Sequence, residues 1–111
     1  MNPSIPALKN FRTFHLALSF YEECQKLKLA PHLRDQLTRA TESILLNLGE
    51  GSAKPSAKDR ARFYSMALGS FRESQIILSL ACQQGLLTQF DGLGGCLYKL
   101  SRPFPVPAPV P

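Results

Sequence analysis

The sequence predicts an all-α protein, an antiparallel up-down-up-down four-helix bundle, on three observations. Apolar residues recur at spacings of three and four over long stretches, which is the period of an amphipathic helix, and no window alternates with a period of two. Pro31, Gly51 and Gly85 interrupt this pattern, so that neighbouring helices turn back on one another. The chain has 111 residues, which is enough for one domain with one hydrophobic core.

The first two predicted helices are joined by a very short connection. Helix 1 covers about residues 9–29 and ends before Pro31, and helix 2 covers about 31–50 with Pro31 in its first turn, where proline is tolerated. Gly51 follows as a C-terminal stop, because glycine readily adopts the backbone conformation that ends a helix. The short connection requires helix 2 to lie beside helix 1.

A polar segment at 52–55 precedes the last two predicted helices. Ser56 and Asp59 resemble a capping box, with Asp59 in place of the usual Glu or Gln, so helix 3 is expected over 57–84, before Gly85. Helix 4 is expected over 88–102, completing a domain at 1–102, and the proline-rich tail at 103–111 is expected to be extended and mobile. Helix 4 is weak because three glycines each cost it about 1 kcal/mol relative to alanine: Gly92, Gly94 and Gly95.

Helical wheels assign a core face to each of the first three helices. Helices 1 and 3 also carry large apolar residues on a second side, which in so short a chain is expected to meet another copy of it, with an apolar monomer surface as the alternative. The core stripes are Phe14, Leu18, Tyr21 and Cys24 in helix 1, Leu33, Leu37, Ala40, Ile44 and Leu48 in helix 2, and Phe63, Ala67, Ser70, Ser74, Leu78 and Ala81 in helix 3. The predicted oligomer interface consists of Leu16, Phe20, Leu27, Ile76 and Leu80.

Signatures of catalysis and metal binding are missing from the sequence. His15 and His32 are the only histidines, and none of the three cysteines belongs to a C-x-x-C pair. The segment 49–54 does not meet the phosphate-loop pattern. Unpaired cysteines without a secretory signal or a long apolar run indicate the cytoplasm. We therefore expect no catalytic residue, metal, cofactor, small-molecule substrate or membrane association.

Basic residues are the main functional signal in a chain of net charge +5. On the helix 3 wheel, Lys58, Arg62 and Arg72 fall within an arc of about 80°, away from the core stripe. A basic stripe at a loop and a helix N-terminus suits contacts with phosphates, and a merely solvated face is the alternative. The candidate nucleic-acid-binding residues are Lys54, Lys58, Arg60, Arg62 and Arg72.

Polar residues form a second group, Asn47, Glu50, Ser70 and Glu73. If helices 2 and 3 are antiparallel, Glu50 approaches the start of helix 3, where its charge favours the exposed N–H groups. Paired carboxylates can also perform acid–base catalysis. Without a histidine or metal signal, structural hydrogen bonding is the favoured interpretation.

Three short motifs resemble a known family. Asn-Leu-Gly-Glu-Gly-Ser at 47–52, Arg-Phe at 62–63 and Ala-Leu-Gly-Ser-Phe-Arg-Glu at 67–73 are similar, in order and spacing, to motifs of the bacterial 23S rRNA intervening-sequence proteins, a four-helix bundle family. The resemblance spans about residues 8–100. The accessory variability determinant of diversity-generating retroelements is grouped structurally with this family.

The resemblance implies a bundle that assembles as a homopentameric barrel. For the retroelement branch it also implies a basic surface that engages a reverse transcriptase and RNA. It further implies that seven residues define the fold: Asn47, Glu50, Gly51, Phe63, Gly69, Ser70 and Glu73. The basic residues above are chosen by charge and are not designated by the motifs.

Two functional hypotheses remain open. In the first, the protein is a non-catalytic oligomeric basic scaffold that binds RNA or DNA, as an accessory factor to a reverse transcriptase or in connection with an rRNA intervening sequence. In the second, it is a protein–protein adaptor that docks a partner through apolar helix faces and the proline-rich tail. Phosphate contacts make affinity fall steeply with salt, which separates the two.

Overall fold

A computed structural model describes Ile5 and residues 8–102 of the chain. Within these residues the only regular secondary structure is helical, so the predicted all-α class is confirmed. The elements are α1 (Arg12–Gln25), α2 (Pro31–Ser52), α3 (Ala57–Leu80), α4 (Gln84–Gln89) and α5 (Asp91–Leu100). None of the helices in this part of the chain combines the length and apolarity that a membrane crossing requires. The proline-rich tail at 103–111 lies outside the described residues.

Helix α1 is shorter at both ends than the predicted 9–29. At its C-terminus, the guanidinium of Arg34, from α2, donates hydrogen bonds to the main-chain carbonyls of Cys24, at 2.9 Å, and Leu27. The last carbonyls of a helix have no partner within it, so an arginine from the neighbouring helix takes the place of a further helical turn. This contact also fixes the start of α2 against the end of α1.

Helix α2 continues through Gly51 to Ser52, so the prediction that Gly51 stops the helix is wrong. The backbone of Gly51 does not have the left-handed conformation that ends a helix. A Cβ at this position would lie 2.7 Å from Cε1 of Tyr64 and 3.1 Å from Cβ of Phe63, both in α3. The glycine is therefore required for the close approach of the two helices.

Helix α3 begins as the capping-box pattern predicts and ends earlier than predicted. The hydroxyl of Ser56 accepts a hydrogen bond from the backbone N–H of Asp59 at 3.1 Å. At the other end, Cys82 has a φ of 58°, and the N–H of Gln83 donates to the carbonyl of Leu78 at 2.9 Å. This is the Schellman geometry that normally uses glycine.

The predicted fourth helix is two helices. Gly85 does not end α3, because Cys82 supplies the left-handed residue instead, and Gly85 lies within α4. The chain bends at Phe90, which is buried with its ring 5.2 Å from that of Phe20. In α5, a Cβ on Gly94 would lie 3.2 Å from the ring of Phe71, so this glycine allows α5 to lie close to α3.

The core combines the predicted stripe of α2 with a wider face of α3. Four of the five predicted α2 residues are buried and Leu33 is partly buried. In α3 the buried face widens, because α2 covers one side and α5 the other: Phe63, Ser70 and Ala81 are only partly buried, whereas the buried residues are Ala61, Tyr64, Ala67, Leu68, Phe71, Ser74, Ile77 and Leu78.

Phe20 was expected at a surface between copies of the chain, and that expectation is wrong. The side chain is 1% exposed and contacts the rings of Phe71 and Phe90 edge-on or tilted, at 5.3 and 5.2 Å between centroids. The second apolar side of α1 is thus covered by α3 and the α4–α5 junction of the same chain. Leu16 and Leu27 are partly buried against this core as well.

On α3, the outer apolar residues do face away from the chain. Ile76 is 62% and Leu80 68% exposed. Gly69 is also exposed, and a Cβ built on it meets no atom within 4 Å. Within the described part of the chain, no neighbouring helix packs closely on α3 at Gly69.

Candidate nucleic-acid interface

The loop between α2 and α3 is held together by Arg60. Its Nη1 donates to the main-chain carbonyls of Lys54 and Pro55, both at 3.0 Å. Arg60 was selected from the sequence as a phosphate ligand, and the structure gives this nitrogen a different role, closing the loop. The loop is thereby fixed relative to the first turn of α3.

Two cations of the same region contact one aromatic ring. Lys54 Nζ lies 4.9 Å and Arg62 Cζ 5.0 Å from the ring centroid of Phe63. Lys54 Nζ is also 3.8 Å from Glu50 Oε2, a loose ion pair. A ring that attracts both cations reduces the number of positions they sample, so Phe63 pre-organises the two charges.

The remaining predicted ligands are exposed on α3. Lys58 lies one turn before Arg62 on the same side of the helix. Arg72 is exposed too, but ten residues after Arg62 it is about 15 Å further along the axis. The structure therefore brings Lys54, Lys58 and Arg62 together near the loop and leaves Arg72 apart.

The start of α1 lies at this loop. The rings of Phe11 and Tyr64 are 5.9 Å apart, and Tyr64 in turn contacts Gly51 at the end of α2. Lys9 and Arg12 flank Phe11 in the sequence. Two further cations thus join the loop region from the N-terminal part of the chain.

The end of α5 lies there as well. Phe90, just before α5, contacts Phe20 late in α1, whereas Cys96, further along α5, borders a pocket with Arg12 and Leu16 at the start of α1. The helix therefore runs back along α1 toward the loop, and its last residues, 98–102, lie at the loop end of the molecule. We name the surface formed by residues 9–12, 54–63 and 98–102 the basic end.

Charge is distributed very unevenly between the basic end, with the neighbouring Glu50, and the rest of the chain. This region holds eight of the 13 basic residues and two of the eight acidic ones, which leaves five basic and six acidic residues elsewhere. Its formal net charge is therefore +6, against −1 for the remainder. The eight cations are Lys9, Arg12, Lys54, Lys58, Arg60, Arg62, Lys99 and Arg102, and the acidic pair is Glu50 and Asp59.

Sequence reasoning missed four of these cations. Lys9, Arg12, Lys99 and Arg102 are far from the loop along the chain, and only the packing of α1 and α5 brings them to it. A hint was available in the sequence, since Lys99 and Arg102 end the last apolar pattern. Assigning these two cations to the loop region requires knowing in which direction α5 runs.

The predicted polar group separates into two parts. Asn47 Nδ2 donates to the carbonyl and hydroxyl of Ser43, at 2.9 and 3.2 Å, and Ser70 Oγ donates to Ser43 Oγ at 2.8 Å. Ser43, which the sequence analysis did not single out, thus links Asn47 to Ser70 across α2 and α3. The network connects two members of the predicted group, Asn47 and Ser70.

The two carboxylates of that group are far apart. Glu50 is next to Gly51, which contacts Tyr64, and its carboxylate faces Lys54 rather than the first N–H groups of α3. Glu73 is exposed and lies nine residues beyond Tyr64, about 13 Å along α3. Among the described residues, no three His, Cys, Asp or Glu side chains converge as a metal site would require.

Comparison with known proteins gives one match. A family model described as 23S rRNA-intervening sequence protein matches residues 11–102, which includes all five helices. Searches of curated proteins and of solved structures find no significant match.

Proposed function

Because the chain belongs to the family of 23S rRNA-intervening sequence proteins, we propose that it is a non-catalytic oligomeric scaffold that binds RNA or DNA through its basic end. The family is named for its association with an rRNA insertion, which is compatible with an RNA-associated role. The observation that carries the proposal is the charge distribution. Three separate parts of the chain supply cations to one end of the molecule, and the rest of the chain is nearly neutral.

The cations of the basic end have different roles in this proposal. Lys58 and Arg62, both exposed, contact phosphate oxygens directly. Lys54 is positioned by the ring of Phe63 for a further phosphate contact. Arg60 holds the loop in shape and contributes mainly long-range attraction. Arg72 joins the surface only if another copy of the chain brings it near.

Oligomerisation is the second part of the proposal. We propose that the up-down-up-down bundle forms a homopentamer, with the outer face of α3 at the contact between copies. Ile76 and Leu80 supply exposed apolar area there, and Gly69 leaves room for a neighbouring backbone.

Light scattering is expected to give a mass several times the 12.3 kDa of one chain. Ile76→Glu combined with Leu80→Glu should lower this mass while helical circular dichroism persists. A monomeric wild type at high micromolar concentration would contradict it.

A salt titration tests the nucleic-acid part. Wild-type affinity for structured RNA or duplex DNA should fall linearly on a logarithmic plot against salt, and Lys58→Glu with Arg62→Glu should flatten the slope by about 2, because each phosphate contact contributes about 0.9. The matched control is Lys28→Glu with Arg39→Glu, two exposed cations away from the basic end, since Lys28 precedes α2 and Arg39 lies in its first half. It changes the net charge equally and should leave most of the slope intact. Equal effects of the two pairs would contradict a localised interface.

The adaptor hypothesis has one observation in its favour. An apolar groove of about 440 Å³ runs between the segment before α1 and the second half of α2, and Leu46 on its rim is 69% exposed. An adaptor of this kind predicts little nucleic-acid binding at physiological salt and no effect of either charge-reversal pair.

A reverse-transcriptase partnership belongs to the nucleic-acid proposal, and co-purification with a reverse transcriptase encoded beside this chain is its test.

A further inference from the structure

The last turn of α5 carries a second contact between an arginine and an aromatic ring. Arg102 Cζ lies 4.5 Å from the ring centroid of Tyr98, and Arg102 Nη2 donates to the Tyr98 hydroxyl at 2.5 Å. Tyr98 is 39% exposed, one of the few large apolar side chains so open to solvent. The guanidinium and the ring, each planar in itself, therefore form one unit at the surface.

This unit lies at the basic end, with the Phe63 unit. Each has an arginine held against a ring on the outside of the bundle: Arg62 on Phe63 in α3, and Arg102 on Tyr98 after the turn of α5. The two units come from chain segments that share no sequence motif. Their common location is produced by the packing of α5 along α1 and α3.

Flat aromatic and guanidinium surfaces recognise a particular form of nucleic acid. Unpaired bases expose their faces and stack on aromatic rings or on arginine planes, whereas the faces of paired bases are covered by their neighbours within the duplex. Phosphate contacts alone would need only mobile lysines and arginines. Two arginines held against rings add planar groups that a duplex cannot use.

Building on the proposed function, we propose that the Tyr98–Arg102 and Phe63–Arg62 units are stacking sites for unpaired nucleotides, so that the basic end prefers single strands to duplexes. The N–H edges of the two guanidinium groups, together with the cations around the units, contact the backbone phosphates of the same strand, while the planes of the guanidinium groups and rings meet the bases. An acidic protein segment would satisfy the charge of this surface but would leave the planar groups of both units without a stacking partner. The chemistry is shared by RNA and DNA single strands, which the experiment separates.

The experiment measures affinity for three probes at one salt concentration: oligouridylate, oligothymidylate and a duplex RNA of equal length. Wild type should bind the single strands more tightly than the duplex. Tyr98→Leu should weaken single-strand binding about five- to tenfold, since one base loses its stacking surface, and should change duplex binding little. Tyr98→Phe keeps the ring and should retain most of the affinity. A stronger effect with oligouridylate than with oligothymidylate would assign the site to RNA.

A charge-conserving variant separates stacking from electrostatics. Arg102→Lys keeps the cation and removes the planar guanidinium, so single-strand affinity should fall while the salt slope stays constant. Arg39→Lys, in the first half of α2 and away from the basic end, is the control and should change neither. Circular dichroism and melting temperature of each variant establish that it is folded.

Different outcomes reject different claims. If wild type binds none of the probes at low salt, both the proposed function and the stacking sites are wrong. If it binds duplex and single strands equally, and Tyr98→Leu weakens both alike or neither, the stacking proposal is wrong and the basic scaffold stands. Displacement of oligouridylate by polyglutamate at an equal concentration of charge would likewise show that charge alone governs binding.

Discussion

Gly51 lies directly against the ring of Tyr64, with no room for a Cβ between them. Here α2 and α3 approach each other closely, near the loop that connects them. The ring of Phe11, just before α1, lies 5.9 Å from the ring of Tyr64, so three segments of the chain meet at this tyrosine. The position of the loop, and with it the cations on the loop, depends on this contact.

Gly51→Ala should therefore destabilise the protein although alanine favours helices. The new Cβ would lie 2.7 Å from the Tyr64 ring and 3.1 Å from Phe63 Cβ, and relieving such overpacking costs about 1–3 kcal/mol. Urea unfolding measures the change. Gly49→Ala, in the same helix with no atom within 4 Å of the new Cβ, is the control and should stabilise by about 0.5–1 kcal/mol. A neutral Gly51→Ala would show that the helices can separate freely.

Cys82→Gly should raise stability. Cys82 holds a left-handed φ of 58° at the end of α3, which costs a residue with a Cβ about 1–2 kcal/mol and glycine almost nothing. Part of the gain is offset because glycine has more freedom in the unfolded chain. Cys82→Ala removes the thiol and keeps the strain, so its melting temperature should stay near that of wild type. If alanine stabilises as much as glycine, the backbone conformation is not the cause.

Arg34→Met should weaken the junction between α1 and α2. The guanidinium donates to two carbonyls at the end of α1, and its loss should cost about 1.5–3 kcal/mol, the range for hydrogen bonds involving a charged group. Arg39→Met is the matched control. Its partner Asp35 lies 3.0 Å away and both side chains are exposed, so that loss should not exceed about 1 kcal/mol. Thermal unfolding of both variants gives the comparison.

The cysteines should react with iodoacetamide in a fixed order. Burial raises the pKa of the Cys24 thiol to about 12, with Arg34 opposing the shift, so at pH 8 almost none of it is thiolate, the reactive form. Cys82 is exposed and should be modified first, and Cys96 is half-buried. Mass spectrometry after a brief treatment should find Cys24 unmodified until denaturant is added. Early modification of Cys24 would indicate that the end of α1 opens readily.

The helical class, the core stripe of α2 and the cap at Ser56 could be predicted because each rests on residues close together in the sequence. The errors have a common physical origin. Gly51 and Gly85 were interpreted by their backbone freedom alone, but Gly51 is needed for space, and a cysteine took the left-handed position that Gly85 was expected to hold. The conformational propensity of a residue carries no information about contacts between helices.

The wrong assignment of Phe20 to an interface between copies also arose because contacts between helices could not be predicted. The Phe20 side of α1 was expected to meet another copy because so short a chain was not expected to cover a second apolar side itself. The short break at Phe90 lets α5 fold back onto α1 and α3, and this supplies the missing cover. The cations of α1 and α5 could not be assigned to the loop region for a related reason, since their location depends on where that last helix lies.

Glycine at positions 92, 94 and 95 gives α5 a particular place in the dynamics of the fold. An element with so little intrinsic helical stability, held mainly by Phe71, Leu93 and Leu97, should open at a lower free energy than the whole protein. Its backbone amides should exchange with deuterium before those of α2. Each opening would expose the rings of Phe20 and Phe71 to water for a short time, making this segment the first target for a protease and the first source of aggregation on heating.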